Sequence, residues 1–149
     1  MKSIFDPEIR KEVIDRVDRL QPVSTPVWGK MTVSQMVRHC TRCEEYYFGN
    51  VQMKRSFLGR LIGRMAIRGL LKDDSTVLGK NAPTGTAFRV REDVQDLDAE
   101  KQKWKSALER YATYTQSSFD HWFFGKMTRD QLGQFIYKHC DHHLRQFAC

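Results

Sequence analysis

Apolar residues along this chain recur three or four positions apart far more often than they alternate, the pattern of amphipathic helices rather than strands. Four helices follow from it. The first opens at Asp6-Pro7-Glu8: a capping side chain, a proline at the first helical position and an acid in the first turn. Ile9, Val13, Val17 and Leu20 then share one face, and Pro22 and Pro26 mark the stop. The second starts at Thr32, where Thr32-x-x-Gln35 has the spacing of a capping box and Met31 and Met36 that of a hydrophobic staple; it runs to Phe48, before Gly49-Asn50. The third covers about residues 92–116, with Leu97, Trp104, Leu108, Tyr111 and Thr115 on a seven-residue grid suited to helix packing. The fourth opens at Thr128-x-x-Gln131, a second capping box stapled by Met127 and Leu132, and continues through Phe135, Ile136 and His139 to Phe147. Both boxes follow the same phrase, Gly-Lys-Met-Thr, at residues 29–32 and 125–128.

Between the second and third helices lie about forty residues, 49–91, where most helix–helix links take two to eight. A crossover of that length lets consecutive helices point the same way. The expected fold is therefore all-α: a four-helix bundle, up-down-down-up, as one domain over residues 1–149, with the second and fourth helices antiparallel. Within the crossover, Arg60, Arg64 and Arg68 recur every four residues among apolar neighbours. This predicts a short amphipathic helix over 57–71, weakened by Gly59, Gly63 and Gly69. Residues 78–85 read as loop.

Composition fits that picture: 149 residues, 40% hydrophobic and 29% charged, make one globular domain that needs no disulfides to bury a core. No uncharged apolar run reaches the roughly 18 residues of a membrane span. The first twenty residues carry charges throughout and lack a signal peptide's apolar core. The four cysteines do not read as a secreted framework, so a soluble cytoplasmic protein is expected. The net charge of +7 is local: Lys54, Arg55, Arg60, Arg64, Arg68 and Lys72 supply +6 with no acid among them, and the remainder is nearly balanced.

Four of the five histidines fall on two of the predicted helices. His139 and His143, four apart, project from one face within reach of a single ion, while His142 turns to a neighbouring face. His39 lies beside apolar Met36 and Val37, and antiparallel packing of the second and fourth helices would bring it level with the pair. Spacing alone leaves open a metal site or hydrogen-bonded surface histidines.

The phrases Trp28-Gly-Lys-Met-Thr…Gln35-Met36…His39 and Tyr137-Lys138-His139-Cys140-Asp141-His142-His143-Leu144-Arg145-Gln146-Phe147 resemble the second- and fourth-helix phrases of the DinB/YfiT-like superfamily. His121-Trp122-Phe123-Phe124-Gly125-Lys126 resembles the lead-in of one of its uncharacterised branches. The resemblance follows the element order along nearly the whole chain and is vague over residues 49–91. It implies a helical bundle, often dimeric, with a metal triad that falls here on His39, His139 and His143. It also implies a low-molecular-weight thiol as cosubstrate, as in characterised relatives.

Three imidazoles leave a divalent ion (Zn, Ni or Mn) with open positions, the layout of a reactive rather than a structural site. Such an ion activates water for hydrolysis or binds a thiol as thiolate for S-transfer, and the resemblance favours thiol transfer to a small molecule. Around the triad, Gln146 either orients a ligand or is a surface amide; Tyr46 and Tyr47 either point a hydroxyl at the site or pack as core aromatics. Glu44 and Glu45 are expected in solvent, and His121 is expected to fix a loop by hydrogen bonding. Cys43, four residues past His39, shares its face and is expected not to be a ligand. Cys40 and Cys140 turn about 100° from their neighbouring histidines. In this reading the partners are a small molecule and a second copy of the chain, and neither nucleic acid nor membrane. The rival is a non-catalytic bundle that binds an anionic membrane or nucleic-acid surface through residues 54–72. A crossover helix packing its apolar side on the bundle would give the same pattern.

Overall fold

The computed structural model describes residues 1–82, 84–92 and 94–149. The loop reading at Pro83 and the helix reading at Asp93 lie outside the described residues. The elements are α1 (Pro7–Asp18), α2 (Val33–Tyr47), α3 (Phe57–Leu70), α4 (Leu97–Glu109), β1 (Ser118–His121), β2 (Gly125–Thr128) and α5 (Arg129–Gln146), with 3-10 turns at Thr86–Phe88 and Arg110–Thr113. The all-α four-helix bundle expected from the sequence is corrected: among the described residues, five α-helices stand beside a two-stranded antiparallel sheet.

The helix starts follow local chemistry. Asp6 accepts from the Glu8 and Ile9 amides at 2.9 and 3.3 Å to cap α1. Thr32 and Thr128 both form complete capping boxes, with Gln35 and Gln131 returning a bond to the cap residue's amide. The repeated phrase also keeps its backbone, since Gly29 and Gly125 are both left-handed at φ +83° and +81°. In its second copy the phrase is strand β2, which pairs Ser118 with Thr128 and His121 with Gly125. Sequence patterning passes over this hairpin because each strand is only four residues long, too short for alternation to register.

The third predicted helix is too long at both ends. Its cap is Asp96, which accepts from the Ala99 amide at 2.8 Å. Glu92 instead meets Arg42 at 2.5 Å and Arg38 at 3.6 Å. At the other end the chain tightens into the 3-10 turn at Arg110–Thr113 before entering β1; Tyr114 is buried and Thr115, the last grid position, is exposed.

α2 and α5 run in opposite directions. Gln146, at the end of α5, bonds the Trp28 carbonyl ahead of α2 at 2.8 Å, while Tyr47 at the end of α2 packs on Phe135 near the start of α5. Met36, Val37, Leu132, Ile136 and Leu144 are fully buried in the core that joins these helices to α1 and α4. Each such side chain contributes about 1.5–3 kcal/mol. No described helix is long and apolar enough to cross a membrane.

The periodicity of α3 leaves its orientation open, and the alternative in which its apolar side packs on the bundle is not the one the structure adopts. Its buried residues are Gly59, Gly63 and Ile67, and its apolar side faces solvent. The glycines let the helix press against the hairpin turn, where a Cβ on Gly63 would stand 2.1 Å from the Phe123 carbonyl oxygen and one on Gly59 2.3 Å from it. Arg55 clamps the same turn, donating to the carbonyls of Trp122 (2.9 Å), Phe123 and Gly59 (3.0 Å). Gly63→Ala should therefore lower stability by about 1–3 kcal/mol in urea unfolding. Gly69→Ala, where a Cβ meets open space, should leave it unchanged or raise it by about 0.5 kcal/mol. Equal effects of the two changes would refute this docking mode.

Candidate metal centre

α2 and α5 bring His39, His139 and His143 together. The ring centroids are 5.4 Å apart for His39–His139, 4.8 Å for His39–His143 and 4.7 Å for His139–His143. All three are buried. Antiparallel packing sets the level: residue 39 sits midway along α2, and the last two turns of α5 pass it.

Two of the rings are fixed through Nδ1. His39 Nδ1–H donates to the Phe88 carbonyl at 2.9 Å, a partner supplied by the 3-10 turn of the crossover. His143 Nδ1–H donates to Gln146 Oε1 at 3.0 Å, and Gln146 holds that orientation because its amide nitrogen donates to Trp28 O. The Nε2 lone pairs of both rings are thereby left available. His139 Nδ1 is buried without a hydrogen-bond partner.

Burial lowers the pKa of each ring. His143 falls to about 3, from burial first and the neighbouring His39 second. His139 is pushed well below its ordinary value by burial and by the surrounding histidines. His39 is lowered by burial, partly opposed by its bond to Phe88. Neutral imidazoles are the ligand form.

Among the described residues, each group of donor atoms close enough together to share an ion includes a cysteine beside two histidines. Cys43 Sγ lies 3.8 Å from His39 Nε2, and burial raises its pKa well above the ordinary thiol value. Among the described residues, two overlapping groups could hold a metal ion: His39, Cys43 and His139, and Cys40, His139 and His143, each with donor atoms within 4.8 Å of one another. Cys40 was expected to turn away from its neighbour His39. It stands with His139 and His143 in the second group and not with His39 in the first.

The remaining candidates separate cleanly. Gln146 is buried and acts on His143 as described. Tyr46 and Tyr47 do not reach the triad: the Tyr46 hydroxyl accepts from the Trp122 amide at 2.6 Å and donates to Asp120 O at 3.3 Å. Tyr47 packs on Phe119, His121 and Phe135. His121 fixes the hairpin turn, its Nδ1 accepting from the Phe123 and Phe124 amides at 3.1 and 3.2 Å. His142 stacks edge-on to Trp28 and lines a cavity of about 240 Å³ with Thr76, Leu78, Lys138 and Arg145.

One expectation fails outright. Glu44 is not in solvent but fully buried, accepting from the Tyr111 hydroxyl and, at 3.7 Å, from the Cys140 thiol. Burial raises its pKa to about 7, against the lowering effect of those bonds. The sequence does hold a signal: Val37, Cys40, Glu44 and Tyr47 are spaced three, four and three, the stripe that faces the core.

The profile of the family DUF1569, proteins of unknown function, matches residues 6–149, and the chain belongs to that family. No curated protein and no solved structure matches it.

These shifts give the metal-free protein opposing pH dependences. Folded Glu44 keeps a proton between about pH 4.5 and 7 that the unfolded chain releases, so its contribution falls as pH rises through that window. The histidines act in the other direction: below about pH 6.5 the unfolded chain takes up protons that the folded rings refuse, and stability falls with acid. Glu44→Gln should move the pH of maximum stability upward. At about pH 8 the variant should gain up to about 3 kcal/mol over the parent, less the hydrogen bonding it loses. Urea midpoints in a pH series check this, and superimposable profiles would contradict it.

Proposed function

We propose that this member of the DUF1569 family holds one divalent metal ion on His39, His139 and His143, with an open side that works on a small molecule. The observation that carries the reading is the spacing of three buried, neutral rings. Imidazoles bound through nitrogen to one tetrahedral ion have centroids about 5 Å apart, and these stand at 4.7–5.4 Å. The unpartnered His139 Nδ1 supports it, because a buried ring nitrogen without a bond costs stability that coordination would restore. So does the resemblance of the two histidine-bearing phrases to DinB/YfiT-like proteins.

Zinc, nickel or manganese bound here would supply a Lewis acid that lowers the pKa of water or of a cosubstrate thiol. The chain's own residues do the rest. Phe88 and Gln146 hold His39 and His143 in the tautomer that points a lone pair inward. Packing between α2 and α5 keeps the three rings buried. As an enzyme, the protein would be a thiol S-transferase or a hydrolase; the thiol reading rests on the resemblance. Cys43 is read as a neighbour of His39 rather than a ligand, which leaves the open side for water or substrate.

Titration of untagged protein with Zn²⁺, Ni²⁺ or Mn²⁺ should reach one ion per chain. His139→Ala should abolish uptake while keeping the helical circular dichroism, and Gln146→Leu should weaken it about 10–100-fold. Failure to bind any of the three ions would refute the reading. Cys43→Ala should leave affinity within a few-fold of the parent; a hundredfold loss would make Cys43 a ligand.

A further inference from the structure

The surface of α3 is built the wrong way round for a helix that only connects two others. Phe57, Leu58, Leu61, Ile62 and Met65 are 78%, 54%, 69%, 38% and 70% exposed. At 100° per residue they occupy one arc of about 140°, opposite the buried Gly59, Gly63 and Ile67. Arg60, Arg64 and Arg68 run along one border of that arc, all exposed, and no acid occurs between residues 54 and 72. The orientation is fixed, because turning the apolar arc inward would drive side chains into the Phe123 backbone that the glycines admit. Five large apolar side chains are thus held in water by the fold itself, beside a row of cations.

We infer that α3 seats the protein on an anionic lipid bilayer surface, with Phe57, Leu58, Leu61, Ile62 and Met65 at the acyl boundary and Arg60, Arg64 and Arg68 at the lipid phosphates. An apolar stripe bordered by arginine is the composition of a helix lying in the interface. The long arginine stems can follow the apolar surface while their guanidinium groups stay with the headgroups. Charge selects among the occupants. A second copy of α3 offers the arginines no acid, and antiparallel self-pairing would set the arginine rows side by side. A nucleic acid would satisfy the cations but leave the apolar arc in water. The inference is independent of the histidine site, which lies between α2 and α5.

The test is cosedimentation of the full chain with phosphatidylcholine vesicles, with or without phosphatidylglycerol as the anionic lipid, over a salt series. Binding should appear on anionic vesicles at low salt, be far weaker on phosphatidylcholine alone and decline as salt rises. Arg60→Ala/Arg64→Ala/Arg68→Ala should reduce partitioning on the order of a hundredfold. Phe57→Ser/Leu61→Ser/Met65→Ser should reduce it at least about tenfold. All six positions are exposed, and circular dichroism verifies that each variant is folded. No binding at low salt would overturn the inference. So would duplex DNA binding that the serine variant leaves intact without vesicle binding, or a dimer in sedimentation velocity that the serine variant alone dissolves without vesicle binding.

Discussion

The contact between α2 and α5 is polar where a helical core is ordinarily apolar. Three imidazoles and a carboxyl group are buried along it, with thiols between them. Removing charges from water costs several kcal/mol each, so such groups persist inside a protein only neutral, paired or bound to an ion. Burial holds the imidazoles neutral, and Glu44 is shifted toward its protonated form and bonded by Tyr111. Much of the surrounding architecture serves to keep these groups in place.

That service comes from elements distant in sequence. The two capping boxes start α2 and α5 firmly, and their opposed directions bring residue 39 level with residues 139 and 143. The crossover contributes the Phe88 carbonyl to His39, and the segment before α2 contributes the Trp28 carbonyl, through Gln146, to His143. On the other side, the hairpin ahead of α5 carries α3 on its turn. One end of α5 thus belongs to the donor cluster and the other to the exposed amphipathic helix.

Helix starts were legible because capping is local: Asp6, Thr32 and Thr128 act on amides two or three residues away. The approach of the three histidine rings was legible as a set of spacings plus one packing direction. The hairpin was not, because four-residue strands joined through an aromatic turn carry too little alternation to outweigh a helix start. Periodicity found α3 but not its orientation, since a hydrophobic pattern tells which residues share a face and not which face is buried. That was decided by the close approach of Gly59 and Gly63 to another backbone. Glu44 was misplaced for a related reason: residue type pointed to solvent while position on the helix pointed inward, and position prevailed.

In the proposed metal site three imidazoles, and no thiolate, are the protein's share of the ligands. Zinc-edge X-ray absorption on untagged, zinc-loaded protein tests it most directly. The expected result is a first shell of nitrogen and oxygen scatterers at about 2.0–2.1 Å, with the outer-shell signature of three imidazoles. A sulfur shell at about 2.3 Å, or an ion that carries fewer than three imidazoles, would contradict it.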